Sequence, residues 1–140
     1  MDNIRLTYEV EGGDLTQAGE ASAQVKQTLR KLGFDPDTIR RVSVCMYEGE
    51  INMVIHANGG EITVTISPED ITIVLADTGP GIPDVEKAMQ AGFSTAPDNI
   101  RNLGFGAGMG LPNMKKYSDI MNIDTTLGVG TTVTMVIHMQ

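Results

Sequence analysis

The chain has 140 residues, with 10 Lys+Arg against 18 Asp+Glu and a formal net charge of −8. That balance argues against nucleic acid and anionic membranes as partners, but not against a nucleotide held by local amides and a metal. The length predicts one domain, residues 1–140, burying about 68–70% of its unfolded surface.

The single Cys45 supports neither a disulfide framework nor a metal cluster and reads as a small core residue. Met1-Asp2-Asn3 opens directly into a strand pattern. With no signal peptide and no apolar run of spanning length, the expected place is the cytoplasm.

Ile4, Leu6, Tyr8 and Val10 alternate with polar residues, which predicts a strand over 3–11. Gly12-Gly13-Asp14 breaks it. Asp14 can cap a helix whose apolar stripe is Leu15, Ala18, Val25, Leu29 and Leu32, ending at Gly33. Asp35 and Pro36 supply an N-cap and first position for a second helix. This helix runs to about Ala57 and is closed by Asn58-Gly59-Gly60. It is apolar on more than one side and should be largely buried, which makes its polar residues informative. Glu48, Asn52 and His56 are spaced by four and line one face. A carboxylate and an amide there suggest a cavity with something polar in it; the spacing is equally compatible with a solvated helix edge. His56 fits a capping or packing role near the helix end. Glu50 falls off this line and is expected to be solvated.

Ile62, Val64 and Ile66 form a strand, and Ser67-Pro68-Glu69-Asp70 turns it into a second one, Ile71, Ile73, Leu75 and Asp77, as a hairpin. The residues of that second set share one face, so Asp77 points toward an apolar interior. A carboxylate there is costly unless hydrogen-bonded; a base amino group is one candidate partner, and capping of the following turn is the plainer alternative. In that turn, Asp77-Thr78-Gly79-Pro80-Gly81, Gly79 and Gly81 permit positive φ and close backbone approach.

A short helix is expected over Pro83–Gln90, then a polar lid, Ala91–Leu103. In the lid, Ser94, Thr95 and Arg101 are candidate phosphate contacts, although surface roles suit them as well. Gly104, Gly106, Gly108 and Gly110 alternate with Phe105, Ala107 and Met109, then run into Leu111 and Pro112. Such a run suits neither helix nor strand, but it suits a loop that feeds the helix expected from Pro112 to Met121. A glycine loop at a helix N-terminus is an anion site. It lacks the P-loop spacing and comes too late in the chain for a Rossmann loop. A strand near Ile123, a turn at Leu127–Gly130 and a last strand, Thr131–His138, complete the chain. The pattern predicts an α+β fold, a two-layer sandwich with a mixed, mainly antiparallel sheet covered on one face by helices.

Four boxes occur in order: Glu48-x-x-x-Asn52, Asp77-x-Gly79-x-Gly81, Gly104-x-Gly106-x-Gly108-x-Gly110 and Thr126-x-Gly128-x-Gly130-Thr131. Together, over nearly the whole chain, they resemble the GHKL (Bergerat-fold) ATP-binding domain shared by DNA gyrase, Hsp90, histidine kinases and MutL. Within that superfamily the chain is most similar to the stand-alone serine/threonine kinases of bacterial partner-switching pathways, the anti-sigma-factor type.

The resemblance implies ATP and Mg²⁺ as cofactors. It implies Glu48 as general base, Asn52 as the Mg²⁺ ligand, and Asp77 as the acceptor of the adenine amino group. Gly79 and Gly81 would lie beneath the base, and Thr131 near the adenine. Gly104, Gly106, Ala107, Gly108, Met109, Gly110 and Leu111 would wrap the phosphates. The implied partners are a STAS-domain antagonist, with a sigma factor or a phosphatase besides, and a homodimer is a further implication. Two features depart from the pattern: Gly49 stands where relatives carry a larger residue, and residues 98–103 lengthen the lid. Neither His56 nor His138 has the setting of a phosphoacceptor. The rival to a kinase is an ATP-dependent binding protein with little turnover; a third reading is an ATPase module that hydrolyses slowly.

Overall fold

The computed structural model describes residues 3–13, 18–56, 59–82, 84–89 and 110–139. The elements in chain order are β1 (Ile4–Glu11), α1 (Glu20–Lys31), α2 (Pro36–His56), β2 (Gly59–Ile66), β3 (Asp70–Asp77), α3 (Val85–Ala88), α4 (Gly110–Tyr117), β4 (Ile120–Thr126) and β5 (Gly130–His138). The strands form one sheet in the order β1-β2-β3-β5-β4. Every pairing among the described residues is antiparallel, so the expected parallel admixture is absent there.

Alternation sets the two faces of the sheet. Ile62, Val64 and Ile66 of β2, Ile71, Ile73 and Leu75 of β3, and Val133, Met135 and Ile137 of β5 are buried. Val25 and Leu29 of α1, Val42, Cys45, Met46 and Met53 of α2, and Leu111 and Met114 of α4 complete this core. Each of the larger side chains contributes roughly 1.5–3 kcal/mol by leaving water. Burial pushes the Cys45 thiol up to about 12, in keeping with an inert core residue.

α2 is the central helix, packed against α1, α4 and the sheet. Its start follows the local signals: Asp35 accepts from the Thr38 amide at 3.0 Å and the Thr38 hydroxyl at 2.7 Å, and Pro36 is the first helical residue. The Thr38 hydroxyl, then its amide, holds the Asp35 carboxyl below its ordinary value.

Three expectations need correction. First, α1 begins at Glu20 rather than near Asp14; Asp14 and Leu15 lie outside the described residues, and Ala18 and Gly19 form a turn. Leu32 is not on the buried stripe but 47% exposed beyond the helix end. Second, Glu50 is not solvated: it is 2% exposed. Gly19 precedes α1 with φ 93 and offers no side-chain cap. Glu50 supplies one from another helix, accepting from the amides of Ala21 (3.2 Å) and Ser22 (3.0 Å) and from the Ser22 hydroxyl (2.9 Å).

Third, the helix after the glycine cluster ends at Tyr117, and Met121 is a strand residue. Ser118 closes that helix by donating its hydroxyl to the Met114 carbonyl at 2.7 Å. Arg41 Nε takes the Tyr117 carbonyl at 3.2 Å, and its guanidinium pairs with Asp119 at 2.8 Å. The Asp119 amide then joins β5 through the Val136 carbonyl.

Glu50→Ala leaves the first amides of α1 without acceptors in a buried place. It should lower stability by about 3 kcal/mol, seen as a fall of roughly 10 °C in Tm. Glu50→Gln, which keeps an acceptor oxygen, should lose less than half of that in the same melting experiment.

Candidate functional site

The polar residues of the site stand on the sheet, on α2 and on α4. Asp77 ends β3, half-buried. Its Oδ1 accepts two backbone hydrogen bonds, from Gly79 at 2.9 Å and from Thr131 at 3.0 Å. The turn-capping role is therefore real, and it uses only one of the two oxygens. Neighbouring strands leave room for this arrangement because both place glycine beside it. A Cβ on Gly130 would stand 2.1 Å from the Asp77 carbonyl oxygen, and one on Gly60 would stand 2.8 Å from the Asp77 Cα.

The turn after Asp77 is fastened to the β4–β5 hairpin. Gly128 donates its amide to the Pro80 carbonyl at 2.9 Å, and Ile82 donates to Thr125 Oγ1 at 2.9 Å. Gly81 adopts φ 84, and a side chain there would meet the Thr126 carbonyl oxygen at 2.8 Å. Thr131, 6% exposed, shares a hydroxyl hydrogen bond of 2.9 Å with Thr125. Asp77, Gly79, Gly81 and Thr131 are thus brought together, with Gly60 and Gly130 as close-packed supports and Thr125 as one that sequence reading did not single out.

Glu48 and Asn52 lie one turn apart on α2, both half-buried, and both face the start of α4. Asn113 Nδ2 donates to Glu48 Oε1 at 3.3 Å. The Asn52 amide lies against Gly110, where a Cβ would come within 2.9 Å of Nδ2 and 3.1 Å of Oδ1. Leu111 and Met114 anchor this end of α4 in the core, 9% and 1% exposed. What Leu111 can offer a ligand is therefore its backbone amide in the first turn. Gly104, Gly106, Ala107, Gly108 and Met109 lie outside the described residues, as do Ser94, Thr95 and Arg101 of the expected lid.

Two contacts bring the α2 residues and Asp77 into one neighbourhood. A Cβ on Gly49 would be 2.5 Å from Leu75 Cδ2, so the missing side chain is what lets α2 lie this close to β3. Next to Asn52, Met53 reaches the Gly60 position, 2.8 Å from its hypothetical Cβ. The site therefore holds an anchored acceptor on the sheet, a carboxylate and an amide on α2, and the N-terminal turn of α4. That set can bind an amino-substituted ring at one end and an anion at the other.

A sequence profile of the histidine kinase-like ATPase domain matches residues 13–137. The chain belongs to the histidine kinase-like ATPase domain family. Among curated proteins it is 30% identical over 112 residues to the serine/threonine-protein kinase RsbT of Bacillus subtilis, covering 77% of this chain and 78% of that one. It is 31% identical over 129 residues to the anti-sigma F factor of Bacillus licheniformis, covering 86% and 85%. Against the anti-sigma F factor of Caldanaerobacter subterraneus it is 36% identical over 109 residues, 73% of each chain. The five-stranded antiparallel sheet with helices on one face accords with this ATPase family.

Within the ATPase domain, Gly49 serves close packing. A methyl there overpacks the buried Leu75 by about 1–3 kcal/mol, against about 1 kcal/mol gained in helix propensity. Gly49→Ala should therefore cost about 1 kcal/mol net, a fall of roughly 3 °C in Tm. In a Leu75→Ala background the same substitution should raise Tm, because the obstructing methyls are gone.

Proposed function

We propose that the protein is an ATP-dependent serine/threonine protein kinase of a bacterial partner-switching pathway that phosphorylates a STAS-domain antagonist. The observation that carries the reading is the pairing on α2: Glu48 faces Asn113 and Asn52 faces Gly110, so a carboxylate stands at the turn where an anion would bind. A protein that only holds a nucleotide has no need of that carboxylate. The kinase name of one relative at 30% identity supports the same reading.

Each residue then has a task. Oδ2 of Asp77, which takes no hydrogen bond among the described residues, accepts from the adenine amino group while Oδ1 keeps its two backbone donors. The N-terminal amides of α4 face the phosphates. The hydroxyl oxygen of a serine or threonine bonds to the γ-phosphorus as the bond to the β–γ bridging oxygen breaks, and ADP leaves with that electron pair. The hydroxyl proton passes to Glu48.

Mg²⁺ suits the donors present. The Asn52 amide oxygen is a hard ligand at the phosphate end, and no group of three or more His, Cys, Asp or Glu among the described residues forms a separate cage. An ion that brings most of its ligands as phosphate and water matches that donor set. When bound, it would neutralise charge on the phosphoryl group.

The anti-sigma F names of other relatives favour a second reading, an ATP-binding anti-sigma factor or regulator that holds its partner with little catalysis. A sigma factor, a phosphatase and a second copy of this chain are the further partners to test.

The first of two measurements decides between the readings, and the second tests the adenine assignment they share. Incubation with radiolabelled Mg-ATP and a STAS-domain partner should label the partner. Glu48→Gln should cut that rate by roughly 10²-fold or more, with ATP affinity little changed. Nucleotide-dependent complex formation without label would favour the binder. By calorimetry, Asp77→Asn should weaken ATP by about 100-fold, since an NH₂ then faces the adenine amino group; unchanged heat of binding would overturn the adenine assignment.

A further inference from the structure

Glu48 sits between two different surroundings. On one side is Asn113, in the first turn of α4, whose Nδ2 donates to Oε1 at 3.3 Å across 65 residues of sequence. On the other side Glu48 lines a groove of about 360 Å³ between α1 and α2, with Gly19, Ser22, Lys26, Ser43 and Tyr47 on its walls. Among the described residues Asn113 is the one hydrogen-bond donor to this carboxylate.

We infer that Asn113 is a positioning residue for Glu48: its amide holds Oε1 on the α4 side and leaves Oε2 to meet an acceptor hydroxyl arriving from the groove. The catalytic consequence rests on the kinase reading above; the contact does not. A glutamate carboxyl turns about a broad terminal torsion, so a free one presents either oxygen in many orientations. One directional donor narrows that range. An amide also suits the task chemically, because it donates without bringing a positive charge to offset the base.

The donor itself stands on a held element. Leu111 and Met114, on either side of Asn113, are core residues. The far end of α4 is held by Arg41 through the Tyr117 carbonyl and Asp119. A group on a rigid, anchored helix can set the geometry of another to the precision that proton transfer needs. Because Gly110 and Asn113 share one turn of α4, the same turn touches both Asn52 and Glu48. Movement of the phosphate helix would therefore reach the base directly.

The test uses the full chain with Mg-ATP and a STAS-domain acceptor. Asn113→Ala should lower kcat by roughly 10- to 100-fold while leaving the KM for ATP within about 2-fold, as expected for lost orientation rather than lost binding. In a Glu48→Gln background the same substitution should change the rate by less than about 2-fold, because the residue acts through Glu48. Asn113→Asp, which sets acceptor oxygens against the carboxylate, should be slower than Asn113→Ala. A loss that appears in ATP affinity, or that multiplies fully with Glu48→Gln, would mean a purely structural role and would overturn the inference.

A second readout needs no catalysis. The side-chain ¹H–¹⁵N amide signal of Asn113 should move in Glu48→Ala and stay in place in Glu86→Gln. An unresponsive signal overturns the contact whatever the activity. A responsive signal in a protein that labels no partner overturns the kinase reading, and with it the catalytic role of Asn113.

Discussion

The distance between α2 and β3 sets the rest of the site. Gly49 leaves a gap where any side chain would collide with Leu75, and through that gap the helix settles onto the strand. Asp77 follows Leu75 by two residues on the same strand, and Glu48 and Asn52 bracket Gly49 on the helix. The bare backbone at Gly49 therefore contributes to how closely the helix carrying Glu48 and Asn52 packs on the strand carrying Asp77. Close-packed interiors do not yield smoothly to extra volume, so added bulk there is felt by both elements.

Around Asp77 the same economy of side chains recurs. Gly60 on one neighbouring strand and Gly130 on the other let the backbones crowd its Cα and carbonyl. Two amides then converge on a single carboxylate oxygen. A half-buried carboxylate so held is satisfied before any ligand arrives, and its orientation is determined in advance. Turn capping falls on Oδ1, and among the described residues no donor is set against Oδ2.

The two glutamates of α2 serve different needs. Glu50 turns toward α1 and satisfies amides that Gly19 cannot cap. Glu48, two residues earlier, turns toward α4 and takes one donor from Asn113. A helix buried on most sides has few directions left for a charge, and neighbouring helix starts, with free amides and positive dipole ends, accept a carboxylate at least cost. Arg41 performs the complementary task at the C-terminal end of α4, where carbonyls are left over.

What the sequence determined by itself was local or periodic. Alternation in Ile71–Asp77 and Thr131–His138 determined strands and their buried faces; Asp35-Pro36 determined the start of α2; Gly81, Gly110 and Gly130 marked places where the backbone comes close to another segment. These signals arise within a few residues and survive without knowledge of neighbours. The tertiary structure alone decided where Glu50 points, because its partners are in α1, 28 and 29 residues away. It alone decided that α4 stops at Tyr117, since an arginine from α2 and a strand partner from β5 end it. It alone paired Asn113 with Glu48 and fitted Gly49 against Leu75. Those contacts join elements distant in the chain, and the spacing of residues along one helix or strand holds no record of which other element will lie against it.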